Sequence, residues 1–366
     1  MKVALVCDWL TNQGGAEEVV LALTELFPEA PIYTSVYNPG KTPAFRDKKV
    51  ITSFLQNWPF AKTKHQLYPT LRPLAFESFD FSEYDLVISS SSAEAKGILT
   101  KPDTKHICYC HTPTRYYWSD YHAYLNRLQF GILNPLVRKI MPRTISKMRI
   151  WDRLAAERVD HFVANSAYVA ARIKKYYRKE ATIIHPPCDT ENLKPGGQVQ
   201  DYFLVVSRLI PYKRVDLIVA AFNQLGWPLK IAGTGPDEKS LKKLAKPNIE
   251  FLGQVSGKEK VKLYQECQAL VFAAEEDFGI VPVEAMACGR PVIAYGKGGV
   301  TESVIDGKTG LFFAEQTIKS LLTTLQRFKQ AQFDSGTIRK QAEKFSKERF
   351  KREILELVDR ILNSKF

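Results

Sequence analysis

No stretch of this chain stays apolar for the roughly 18 to 20 residues that a membrane span needs. No segment repeats with a period of about 20 to 50 residues, and no tract is of low complexity, so solenoid and fibrous architectures are excluded. Cysteine is sparse, six in 366 residues. Cys7, Cys108, Cys110, Cys188, Cys267 and Cys288 have neither the spacing of a zinc site nor that of a redox pair. They are expected as buried, reduced thiols of a cytoplasmic protein. The opening residues Met1 to Asp8 turn acidic too soon for a secretory leader and are expected as a first strand. The tripeptide Asp-x-Asp occurs nowhere.

What is present is an ordinary globular balance, 45% hydrophobic and 25% charged, at a length that suits two or three domains. The formal net charge of +13 invites an anionic substrate, a membrane surface or a nucleic acid as partner. No RNA-binding signature accompanies the charge, and no nucleic-acid partner is expected. The excess is local. Residues 127–158 carry eight basic side chains (Arg127, Arg138, Lys139, Arg143, Lys147, Arg149, Arg153, Arg158) against Asp152 and Glu157. A second group, Lys48, Lys49, Lys62, Lys64 and Arg72, interleaves with Phe54, Leu55, Trp58, Phe60, Tyr68 and Leu71. Two readings fit that mixture: an anionic phospholipid surface, or a solvated helix face over buried aromatics.

Strand and helix signals alternate twice along the chain. In the first half, strands are expected at Lys2–Cys7, Ile32–Val36, Tyr84–Ser90, Lys105–Tyr109, Asp160–Ala164 and Ala181–Ile184. Helices are expected over Ala16–Phe27, most of Ser119–Arg158, and Ala167–Tyr177 behind an Asn165-Ser166 cap. Consecutive prolines in His185-Pro186-Pro187-Cys188-Asp189 break the pattern. The second half restarts with strands at Tyr202–Val206, Leu229–Ala232, Ile249–Leu252, Ala269–Ala273 and Pro291–Ala294. It is expected to be helical from Leu311 onward, and Ser346–Asn363 has the spacing of an amphipathic helix.

The densest chemistry lies in residues 275–289, Glu-Glu-Asp-Phe-Gly-Ile-Val-Pro-Val-Glu-Ala-Met-Ala-Cys-Gly. Pro282 suits a first helical turn and Gly289 a helix stop. The free N–H groups near Gly279 and Ile280 favour an anion. Glu276 fits a helix start for dipole reasons alone. Glu284 is embedded in an apolar run and needs a partner, which a sugar or ribose hydroxyl would supply. Arg208 and Lys213 flank a strand-to-helix turn, and two cations there suit a pyrophosphate. Gly14-Gly15 lies between a strand and a helix, as either an anion site or a tight turn. His111 sits past the end of a strand, where open α/β sheets place their ligands.

The spacing of Glu276 and Glu284, with Phe278-Gly279 between them, closely resembles the E-x7-E motif of retaining glycosyltransferases of family 4. The segment His111-Thr112-Pro113-Thr114-Arg115-Tyr116-Tyr117-Trp118 is similar to that of O-antigen-type mannosyltransferases within the family. The loops at Gly14-Gly15-Ala16-Glu17, Ser207–Lys213 and Gly298–Glu302 also match family elements. The resemblance implies an α/β protein of GT-B fold: two Rossmann-like domains facing across a cleft, with a C-terminal helix returning to the first. The domains would be 1–187 for the acceptor, 188–345 for the nucleotide sugar, and 346–366 for the returning helix. It assigns catalysis to His111 and Glu276. Donor binding falls to Gly14, Gly15, Arg208, Lys213, Gln254, Val255, Phe278, Gly279, Ile280 and Glu284, and the acceptor side to Asp8 and Arg115. Glu302 reads first as a helix-start acid. The implied reaction moves α-mannose from GDP-mannose, or a sugar from a UDP donor, to a lipid-linked or glycan acceptor at the cytoplasmic face of a membrane. No cofactor is implied. The missing Asp-x-Asp, with cations available to the leaving group, points to catalysis without a metal.

Overall fold

The computed structural model describes residues 1–12, 14–126 and 134–363. The chain divides into two compact units, Met1–His185 with Lys351–Phe366, and Pro186–Phe350. Arg127, counted above among the basic residues, lies outside the described residues.

The first unit is built on a seven-stranded sheet: β1 (Val3–Cys7), β2 (Ile32–Thr34), β3 (Val50–Thr52), β4 (Leu86–Ser91), β5 (Lys105–Cys110), β6 (His161–Ala164) and β7 (Ala181–Ile183). The spatial order is β3-β2-β1-β4-β5-β6-β7, and every ladder is parallel. The second unit has six strands: β8 (Phe203–Val206), β9 (Leu229–Ala232), β10 (Ile249–Gly253), β11 (Leu270–Phe272), β12 (Val292–Tyr295) and β13 (Gly310–Phe313). Its order is β10-β9-β8-β11-β12-β13, again all parallel. Each is a doubly wound, Rossmann-like sheet whose order reverses once, between β1 and β4 and between β8 and β11.

Side-chain alternation explains why helices cover both faces. In the second unit Phe203, Val205, Val271, Ile293 and Tyr295 enter one core. Their neighbours Leu204, Leu270, Phe272, Val292 and Ala294 enter the other. The helix Ala167–Tyr177 begins at Ser166, whose hydroxyl accepts from the Val169 amide at 3.1 Å. All six cysteines are free and buried. No described helix is long and apolar enough to cross a membrane.

The expectation of helix from Leu311 is corrected. Gly310–Phe313 is the edge strand β13, and the helix begins only at Ile318, capped by Thr317. A four-residue apolar run bounded by glycine carries no periodicity to separate strand from helix. The strand β3 was not expected either, because three residues between lysines and serine are too few to alternate.

Candidate active site

In a parallel sheet every strand delivers its following loop to the same end, and the order reversal brings two loops side by side. In the second unit β8 leads into Ser207–Arg214 and its neighbour β11 into Ala273–Gly279. The two meet: Lys213 forms an ion pair with Glu276. Both side chains are mostly buried, 13% and 17% exposed. The Lys213 ammonium also lies 5.2 Å from the Tyr212 ring. Arg208 is exposed, its guanidinium 3.5 Å from the Tyr212 hydroxyl.

The loop carrying Glu276 is held by backbone contact. Glu276 bridges to Gly298 in parallel fashion, and the Gly299 amide donates to the Glu276 carbonyl at 2.9 Å. A methyl group on Gly298 would lie 2.5 Å from that carbonyl oxygen, and one on Gly299 would lie 2.2 Å from the carbonyl of Asp277. Gly298 also stands at φ 81°. Only glycine permits so close an approach. Gly279, at φ 85°, turns the chain into the helix Ile280–Ala287, with Pro282 in its first turn. The Phe278 side chain is buried in the core, 5.5 Å from the Phe345 ring, so this donor candidate has only its backbone to offer a ligand. Ile280 is partly buried at the first helical position.

Glu284 already has partners within the protein. Lys260 donates to one carboxylate oxygen at 3.0 Å and the Tyr264 hydroxyl to the other at 2.7 Å. Both come from the helix Gly257–Glu266, twenty and more residues upstream, which is why the sequence did not reveal them. Each motif glutamate is thus paired with a lysine. Gln254 is exposed and Val255 partly buried just after β10.

In the first unit the reversal lies between β1 and β4. A hollow of about 30 Å³, roughly the room of one water, is lined there by Asp8, Trp9, Glu17, Ser90, Ser92 and His111. The Asp8 carboxylate is occupied by the protein. It accepts from the amides of Ser92, Ala93 and Ala95 at 2.6, 3.0 and 2.7 Å and from the Ser92 hydroxyl at 3.0 Å. It therefore fixes the turn after β4. Gly14 and Gly15 open the helix Gly15–Leu26, whose first turn already carries Glu17 and Glu18. Those acids weaken the N-terminus as an anion site.

His111 follows β5, with Nε2 2.8 Å from the Ser90 hydroxyl, and its carbonyl accepts from Asn165 at 3.0 Å. Burial pulls the imidazole down to about 4. It is therefore neutral near pH 7, a hydrogen-bonding group rather than a cation.

The segment after His111 is pinned by two buried carboxylates. Asp152 accepts from Lys96, Thr114, Trp118 and Tyr177 at 2.6, 2.8, 2.7 and 2.8 Å. Glu94 accepts from Arg72, Tyr116 and Tyr117 at 3.0, 3.0 and 2.9 Å. Arg72, read above as part of a basic surface, is instead 3% exposed and bound to Glu94. A cation beside six apolar neighbours looks solvated in sequence until its acid, 22 residues away, is folded onto it. Arg115 is partly buried, 3.6 Å from Asp120.

Two family models match the chain: Glycosyltransferase Family 4 over residues 13–192 and Glycosyl transferases group 1 over residues 192–352. An uncharacterized glycosyltransferase of Methanocaldococcus jannaschii is 32% identical over 45% of this chain and 48% of its own length. The alpha-1,3/1,6-mannosyltransferase alg2 of Schizosaccharomyces pombe is 26% identical over 81% of this chain and 68% of its own. The D-rhamnosyltransferase WbpZ of Pseudomonas aeruginosa is 28% identical over 52% of each. The chain thus spans about half the length of several curated relatives it matches. Among solved structures, the sucrose-phosphate synthase of Thermosynechococcus elongatus superposes with a TM-score of 0.77 at 16% identity over the whole of both chains. Anabaena HepE in complex with UDP-glucose gives 0.72 at 18% identity, over 98% of this chain and 100% of the other.

Proposed function

Because the chain belongs to glycosyltransferase family 4 and has the GT-B fold, we propose that it is a retaining, metal-independent hexosyltransferase. It moves α-mannose from GDP-mannose to a lipid-linked or polysaccharide acceptor. Residues 188–345 take the nucleotide sugar, residues 1–187 take the acceptor, and residues 346–366 complete the first domain.

The observation that carries the reading is the Lys213–Glu276 pair beside Arg208, at the strand reversal of the second unit. When a nucleotide sugar breaks, negative charge grows on the departing diphosphate. Arg208, Lys213 and the helix start at Gly279 and Ile280 offer fixed positive charge and N–H groups to receive it. A diphosphate that takes Lys213 releases Glu276 to a sugar hydroxyl. Glu284, held by Lys260 and Tyr264, retains lone pairs for ribose hydroxyls, and backbone near Gln254 and Val255 meets the base. The neutral imidazole of His111 positions the sugar. The departing phosphate takes the acceptor proton, so His111 is not the base. The available cations and the lack of Asp-x-Asp support activity without a divalent ion.

The test is turnover of a panel of GDP- and UDP-sugars by the purified chain, with polyprenyl-linked and oligosaccharide acceptors, in the presence of chelator. GDP-mannose consumption and an α-linked product are expected. Turnover of UDP-sugars alone would replace the donor. Neither binding nor turnover with any donor would end the enzymatic reading of this chain.

A further inference from the structure

The strand β4 pairs a serine with a histidine twice. Successive residues of a strand point to opposite faces, so Ser89 and Ser90 address different partners. The Ser89 hydroxyl lies 2.8 Å from Nε2 of His106, and the Ser90 hydroxyl 2.8 Å from Nε2 of His111. The pairs differ in what becomes of the other ring nitrogen. Nδ1 of His106 is sealed from solvent without a partner. Nδ1 of His111 has no partner among the described residues either, yet it is not sealed. His111 is partly exposed and lines the hollow at the strand reversal. A ring nitrogen left open where such sheets bind their ligands is available to one.

The imidazole has little freedom to turn. The His111 amide donates to the Ser91 carbonyl at 2.9 Å, and its own carbonyl accepts from Asn165 at 3.0 Å. The ring packs edge-on against Tyr109, centroids 5.2 Å apart, and the Tyr109 hydroxyl donates to the Ile184 carbonyl at 2.9 Å. Because burial keeps the ring neutral near pH 7, one nitrogen carries the proton and the other accepts. Ser90 decides which. It is 3% exposed, and Nε2 is the one acceptor that its Oγ reaches among the described residues. A buried hydroxyl hydrogen is seldom left without an acceptor. It therefore points at Nε2, which must be bare, and the ring proton sits on Nδ1.

We propose that Ser90 is a positioning residue: its hydroxyl donates to Nε2 and fixes His111 as the Nδ1–H tautomer, so that His111 gives a hydrogen bond to an oxygen of the donor sugar and takes no proton there. The sugar as recipient rests on the function proposed above; the tautomer rests on β4, β5 and their side chains alone.

Proton–nitrogen correlation spectra of the full chain carrying isotope-labelled histidine read the tautomer near pH 7 without substrate, since bare and protonated ring nitrogens resonate far apart. His111→Gln identifies the His111 signals among those of the six histidines. Bare Nε2 and protonated Nδ1 are expected. Ser90→Ala removes the donor, and the proton is expected to redistribute toward Nε2. The same variant lowers kcat for donor consumption by about tenfold, the usual worth of one uncharged hydrogen bond. Donor KM and the affinity for GDP or UDP stay within about twofold, because the nucleotide meets other residues. Ser89→Ala, on the opposite face, moves the His106 signals and leaves the His111 tautomer and kcat as they are. Circular-dichroism melts establish that each variant is folded.

The proposal is overturned if wild-type His111 carries its proton on Nε2, if Ser90→Ala leaves the tautomer unchanged, or if it changes the tautomer without lowering kcat. An equal loss of kcat in Ser89→Ala and Ser90→Ala would make Ser90 a packing residue and overturns it as well. A wild-type chain that consumes no nucleotide sugar refutes the function proposed above and the role toward the sugar, while the substrate-free spectra still decide the tautomer.

Discussion

Replacing Gly299 by alanine tests whether the Glu276 loop is positioned by backbone contact. Gly299 has an ordinary φ of −65°, so an alanine there meets no conformational penalty. The penalty is steric. The new methyl would lie 2.2 Å from the Asp277 carbonyl oxygen and 2.4 Å from the Phe278 Cα, both rigid backbone. Ordinary contact begins at 3.4 Å, so the loop must retreat by about 1.2 Å. A retreat of that size lengthens or breaks the Gly299–Glu276 hydrogen bond and carries the Glu276 side chain with it. Overpacking of this kind costs about 1–3 kcal/mol of stability. Misplacement by about 1 Å costs on the order of 10²-fold in rate. The assay is kcat/KM for donor consumption together with a thermal melt. Gly257→Ala serves as control, since its added methyl meets nothing within 4 Å. A Gly299→Ala protein with wild-type kcat/KM would show that this contact does not hold the acid in place.

Lys213→Ala, read by donor hydrolysis, is expected to lower kcat by about 10²–10³-fold, the usual loss for one fixed electrostatic donor. Arg72→Leu leaves Glu94 buried without its cation and is expected to cost about 3–5 kcal/mol in a denaturant titration. His65 and His106 are held down to about 3, and His111 to about 4, mainly by burial. The unfolded chain binds their protons first, so stability is fully present above about pH 6.5 and falls toward pH 4, by up to about 1.4 kcal/mol per pH unit for each fully buried ring. Denaturation midpoints at pH 7 and pH 5 check this, and His106→Gln should flatten the dependence.

Much of the fold is visible in local pattern. The helix Ala167–Tyr177 and the strand Leu229–Ala232 appear at the expected residues, because each has a clean period and a polar or glycine boundary. β13 escaped because its four residues have no period. The site was visible as residue types but not as geometry. Nothing near Glu276 in sequence names Lys213 as its neighbour; that follows only once β8 and β11 pair across the order reversal. The same holds for Glu284, whose partners arrive on another helix. Asp152 is one of two acids in a basic stretch of sequence, yet in the fold it is the hub of four hydrogen bonds.

The first unit is discontinuous: Lys351–Phe366 belongs to it although all of Pro186–Phe350 intervenes. Ile354, Leu357 and Val358 from this segment are buried, and Lys351 pairs with Glu25. During synthesis the second unit can therefore close as soon as its own residues have left the ribosome, whereas the first must wait with an uncovered apolar seam. A nascent chain stalled before Lys351 would present that seam to chaperones, and the half translated first would be the half that matures last.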